Sequence, residues 1–152
     1  MNLSFIYGTG YEVIFTAFSG IILAQFVKCF LHLIVKRSLD LRLFTTTGGM
    51  PSSHSATVLG LTTAAALQDG FGSTTFAISA ILSIIVIIDA CGVRYETGKQ
   101  SKMLNKIVKE MFTDTENAET HFKEFIGHTP LQVFVGAVLG IVVGIVMFFI
   151  FN

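Results

Sequence analysis

The chain has 152 residues, 52% of them hydrophobic and only 13% charged, with a mean hydropathy of +0.71. Soluble domains carry about 25% charged residues, so this composition excludes a water-soluble globule and a disordered chain. Ten Lys and Arg balance ten Asp and Glu, so net charge points to no partner, and no nucleic-acid ligand is expected. A single membrane-embedded domain over residues 1–152 is the natural reading at this length.

The opening MNLSFIYGTGYE lacks the positive start of a secretory signal, so the first apolar segment is expected to stay in the mature protein. That segment runs from about Val13 to Val35, interrupted by Gln25, Lys28 and His32. A second, shorter one runs from Ser52 to about Leu67 and is broken by the glycines of QDGFGS. The third, dense in Ile, covers about Thr74 to Ala90, and the fourth covers Thr129 to Phe151. A helix needs about 20 apolar residues to cross a bilayer, and only helices or closed barrels satisfy the backbone there. The expected architecture is therefore all-α, a bundle of about four transmembrane helices. Cys29 and Cys91 lack any C-x-x-C spacing and read as small buried hydrophobes rather than as a disulfide or zinc site.

The basic residues sort by loop. Lys36, Arg37 and Arg42 follow the first apolar segment, and Arg94, Lys99, Lys102, Lys106, Lys109 and Lys123 follow the third. Lys28 completes the set, and the N-terminal tail, the turn at Gln68 to Ser73 and the C-terminus carry none. With four crossings, the positive-inside rule predicts both termini outside and both basic loops in the cytoplasm. Within the second basic loop, Lys99, Lys102, Lys106 and Lys109 recur at helical steps, with Met103, Ile107, Val108 and Met111 on the other side. This spacing predicts a basic amphipathic helix lying in the interface, its lysines meeting anionic headgroups or a charged substrate. Asp114, Glu116 and Glu119 read as a solvated connector, not a metal site.

Two histidines stand at predicted helix starts on the same face. In GGMPSSHSA, Gly48 and Gly49 allow a tight backbone path, Pro51 suits a first helical position, and Ser52 and Ser53 place hydroxyls beside His54. In GHTPLQ, Thr129 is a predicted N-cap, Pro130 fits the first position and Gln132 completes a capping box next to His128. Helix N-termini offer free N–H groups and partial positive charge, so two of them facing one another form an anion site. Asp89, at the end of the third segment, and the following Arg94 and Lys99 share that face. An ionisable group at a membrane edge is a functional candidate. Lys28 either snorkels to the headgroups or reaches inward as a counter-charge. In a catalytic reading one imidazole attacks phosphorus and the other protonates the leaving alkoxide, while Lys and Arg neutralise the phosphoryl oxygens. His32 and His121 lack such surroundings and read as structural.

GGMPSSHSA, DACGVRYETGKQ and GHTPLQV, in this order, resemble the divergent branch of the type-2 phosphatidic acid phosphatases, a superfamily that also includes vanadium haloperoxidases. The resemblance extends to Gln25 and Lys28 on the first helix. It implies a metal-independent and cofactor-independent phosphatase in which His54, within Pro51, Ser52, Ser53 and His54, supplies the general acid. His128 matches the nucleophile of the superfamily's His-x-x-x-Asp motif. Gln132 takes the acidic position, able to orient an imidazole through its amide oxygen but not to stabilise imidazolium by charge; Asp89 is the alternative partner. His121 and Phe122 stand where a Ser-Arg pair is expected, and Lys36 to Arg42 echoes the Lys-x6-Arg-Pro motif without its proline. Phosphate clamping is then expected from Lys28, Ser52, Ser53, Arg94 and Lys99.

Three functions follow in order of expectation. The first is a phosphatase acting on a phosphate or diphosphate ester, with an anionic membrane lipid as the expected substrate, through a phosphohistidine at His128. The second is a non-catalytic binder of phospholipid headgroups that has lost turnover, a reading favoured by Gln132. A transporter or channel subunit ranks third, because four helices leave little room for a pore without oligomerisation. The series Gly136, Gly140 and Gly144 fits either an internal helix contact or a homo-oligomer contact.

Overall fold

The computed structural model describes residues 8–38, 49–111 and 127–152. Among these residues every regular element is a helix, in the order α1 Tyr11–Lys36, α2 Ser53–Asp69, α3 Thr74–Cys91, α4 Val93–Met111 and α5 Pro130–Phe151. Arg42, Gly48, the acidic stretch Asp114, Glu116 and Glu119, and His121, Phe122 and Lys123 lie outside the described residues.

Local chemistry fixes the helix ends. The Ser52 hydroxyl caps α2 by accepting from the Ser55 amide, and Ser73 caps α3 by accepting from the Phe76 amide. Thr129 and Gln132 form the predicted capping box at the head of α5. Pro51, expected at the first helical position of α2, instead lies one residue before the cap. The Ser52 side chain takes the capping role, which puts Ser52 outside the helix and Pro51 further out. Gly92 alone separates α3 from α4.

Among the described residues, three helical stretches are long and apolar enough to cross a membrane: α1, the α3–α4 rod and α5. At 17 residues α2 spans about 25 Å, less than the roughly 30 Å of a hydrocarbon core. It needs little apolarity because it is the inner helix, packed most extensively on α5, then on α1 and α3. Ser55, Ala56 and Ala65 on α2 are fully buried. The outward faces of α1, α3 and α5 carry exposed Ile, Val, Leu and Phe, a surface suited to lipid.

The glycine series on α5 is an internal contact. A methyl group at Gly136 would overlap the Ser52 carbonyl, one at Gly140 the Ala56 carbonyl, and one at Gly144 would stand 2.6 Å from Thr63 Cβ. Only glycine lets α5 and α2 approach this closely. On the other side of α2, Thr62 Oγ1 lies 3.0 Å from the Ser79 carbonyl and 2.8 Å from Ser83 Oγ, which lies 3.0 Å from the Val58 carbonyl, so the two hydroxyl protons make two of these three contacts at a time. These bonds tie α2 to α3. An open apolar groove of about 350 Å³ runs between α1 and α5, lined by residues such as Leu23, Phe26, Val143 and Met147.

The helix α4 is amphipathic as its sequence predicts. Met103, Leu104, Ile107 and Met111 form an exposed apolar side, and the lysines occupy the other.

Candidate active site

The heads of α2 and α5 are joined directly, since the Ser52 amide donates to the Gln132 carbonyl at 3.0 Å. His54, second residue of α2, and His128, two residues before α5, thereby face each other. Their rings meet edge to face, with centroids 5.8 Å apart and planes at 80°. His128 is 1% exposed. Neither of its ring nitrogens has a hydrogen-bond partner among the described residues, and His54 Nδ1 is likewise buried without one. A buried imidazole normally finds a partner, so these nitrogens stand out as candidates for binding one.

The surroundings are cationic. Lys28 is 4% exposed, and its aliphatic stem lies against Gly49, whose φ of 86° belongs to the left-handed region that glycine tolerates. Lys28 therefore reaches inward and does not snorkel. Burial, and after it the charges of His54, Lys28 and Arg94, lower the pKa of His128 from 6.5 to about 4. Lys28 and Arg94 thus stand close enough to act on the same ring. The first-turn amides of Ser53 and His54 have no carbonyl four residues back within α2, which adds partial positive charge at the helix head.

A second anchor holds His128 to the α3–α4 junction. Its amide donates to the Ala90 carbonyl at 3.3 Å, and Gly127 presses on the backbone of Arg94 and Tyr95, where a Cβ would overlap main-chain atoms. Sequence reading did not assign roles to Gly127 and Ala90; the glycine before His128 was the visible signal, but its partner was not.

The expected site residues divide. His54, His128, Lys28, Arg94 and the buried Ser52 belong to one end of the bundle. Ser52 Oγ serves as the α2 cap and accepts a further bond from Ser55 Oγ at 3.1 Å, so its first role is to build the helix head. Ser53 is the first residue of α2 and is half-buried. Lys99 stands apart: its Nζ binds Glu96 at 2.8 Å and lies over the Tyr95 ring on the exposed side of α4. Gln132 does not orient the imidazole through its amide oxygen, because that oxygen accepts the Thr129 amide at 3.0 Å. Asp89 does not take that role either; its Oδ2 accepts from Arg94 Nε at 2.6 Å. No group of three or more metal-ligating side chains occurs among the described residues.

A model of the divergent PAP2 family matches residues 10–143, which include both histidines and every residue of this cluster. The chain belongs to that family. It is 40% identical over 147 residues to the uncharacterized membrane protein YuiD of Bacillus subtilis (strain 168), covering 90% of this chain and 93% of the relative. No solved structure matches. Membership places the chain among phosphatase-related membrane proteins and agrees with its apolar helices. Within the divergent PAP2 frame, the histidine pair occupies helix heads brought together by the α2–α5 glycine contact.

Proposed function

We propose that the protein is a membrane phosphatase that hydrolyses a phosphate ester or anhydride, with a lipid phosphate as substrate, without metal or cofactor. The observation that carries this reading is the edge-to-face His54–His128 pair, in which both ring nitrogens of buried His128 and Nδ1 of His54 have no partner among the described residues, set between two cations and two helix heads. A neutral His128 attacks phosphorus, the P–O bond to the leaving group breaks, and His54 in its protonated form donates its proton to the departing alkoxide. Water then cleaves the phosphohistidine with His54 as base, releasing inorganic phosphate and restoring both rings. Lys28, Arg94 and the first-turn amides of α2 hold the phosphoryl oxygens as charge develops. A bound phosphate dianion between the rings also favours protonation of one of them.

The basic loops support a site open to the cytoplasm, with both termini outside. The amphipathic α4 supports docking on anionic lipid, its apolar side in the interface and its lysines among the headgroups. The apolar groove between α1 and α5 is chemically suited to a hydrocarbon tail. Phosphate release from a phosphatidate in mixed micelles, by the purified full chain and by His128→Ala, tests the reading. Loss of release in the variant supports it, and equal rates dismiss the nucleophile.

A second reading, a headgroup binder without turnover, is favoured by one feature: among the described residues no carboxylate meets His128, since Asp89 is held by Arg94, and the Gln132 amide is held by Thr129. Tight binding of phosphate with no release from any ester would select it.

A further inference from the structure

We propose that Asp89 is a positioning residue that grips Arg94 at Nε, so that the two terminal amino groups of the guanidinium are presented to a phosphate held between His54 and His128. This rests on the phosphate-site reading above and assigns the acid a role other than orienting an imidazole.

The geometry supplies three parts. The Nε–Oδ2 contact is 2.6 Å, a short charge-assisted bond that uses one of the five guanidinium N–H groups and leaves the four on the terminal nitrogens. The two residues flank Gly92, with Asp89 in the last turn of α3 and Arg94 in the first turn of α4, so their bond bridges the only break in this rod. The same junction is fastened to the histidine: Ala90 accepts the His128 amide, and Gly127 presses on the Arg94 and Tyr95 backbone. Arg94 is thus held at both its backbone and its side chain, immediately beside the nucleophile candidate. A planar fork fixed in this way matches phosphate oxygens in a manner a flexible ammonium does not. A surface ion pair remote from any ligand would contribute little and have no consequence for binding.

The experiment measures inorganic phosphate binding by calorimetry on the full chain in detergent micelles, for wild type, Asp89→Asn, Arg94→Ala and the double variant. Thermal unfolding serves as the folding control. Asp89→Asn is expected to weaken phosphate binding about tenfold, a typical cost for one charge-assisted contact. In the Arg94→Ala background the same change is expected to have no effect beyond about twofold, because the residue it positions is gone. A merely structural role would lower the unfolding temperature in both backgrounds without that dependence. Phosphate binding by Asp89→Asn within about twofold of wild type, equal losses in the two backgrounds, or no binding by wild type would overturn the assignment. Asp89-dependent phosphate binding by a protein that releases no phosphate from esters would instead sink the phosphatase reading and leave this one standing.

Discussion

His54 and His128 are brought edge to face, with ring centroids 5.8 Å apart, although α3 and α4 lie between them in the chain. What closes that distance is backbone: the Ser52 amide on the Gln132 carbonyl, and the bare glycine surface of α5 against α2. Among the described residues, both ring nitrogens of His128 and Nδ1 of His54 have no hydrogen-bond partner. The first prediction separates their roles. Loss of a general acid matters most when the leaving group is poor. His54→Ala should slow release from an alkyl phosphate by on the order of a hundredfold or more, and from p-nitrophenyl phosphate far less. His128→Ala should abolish both. Equal losses for the two substrates in His54→Ala would remove the acid assignment.

Acid should act through His128. Its folded pKa of about 4 lies below the ordinary 6.5, held down by burial first and by neighbouring positive charge second. Between those values the unfolded chain binds a proton that the folded chain excludes. Stability contributed by keeping this ring neutral is therefore complete above pH 6.5 and is lost as pH falls toward 4. Unfolding measured in detergent across that range should show the slope in wild type and a shallower one in His128→Gln. On the acid side, kcat/KM should fall near pH 4, where the nucleophile becomes protonated, and not near pH 6.5.

The α2–α5 contact should tolerate no side chain. Gly140→Ala sets a methyl group against the Ala56 carbonyl and is expected to destabilise by about 1–3 kcal/mol, the usual range for overpacking. Phosphate release should drop with it, since the same contact sets the spacing of the histidines. Gly72→Ala is the control, because open space surrounds that position. Thermal unfolding and turnover of the two variants, measured together, check both statements.

Gln132 should behave as a cap. Gln132→Ala removes the acceptor for the Thr129 amide and should cost about 1 kcal/mol of stability. Gln132→Glu keeps the acceptor and adds negative charge at a helix head, so stability should hold or rise slightly. Turnover should stay within a few-fold of wild type. A large gain of hydrolysis in Gln132→Glu would show that this position governs the imidazole after all.

Much of the fold was legible because it follows from local rules. Apolar length marked the spans, Thr129 and Gln132 announced their capping box, and lysines at three- and four-residue steps marked the amphipathic α4. The grouping of His54 and His128 was readable from two histidines at helix heads on one predicted face. Other features depend on tertiary choice and leave no local trace. The Gly136, Gly140 and Gly144 series fitted two partners equally until α2 was seen against it. Asp89 and Arg94 are five residues apart, a spacing that would not pair within one helix and does so only because Gly92 interrupts the rod. Lys99 was grouped with the site by sequence proximity, yet Glu96 and Tyr95 hold it on the exposed side of α4. Pro51 lies two positions before the first helical position, the place its residue type suits, because Ser52, not a residue before Pro51, supplies the cap.

The central claim is a covalent phosphorus–nitrogen bond at His128. The most direct measurement is rapid alkaline quenching of the full chain with a phosphorus-labelled phosphatidate, followed by mapping of acid-labile label to a peptide. The account predicts stoichiometric label on the peptide containing His128, absent in His128→Ala and formed at a rate no slower than phosphate release. Phosphate release that continues in His128→Ala at the wild-type rate, with no label on that peptide, would contradict it.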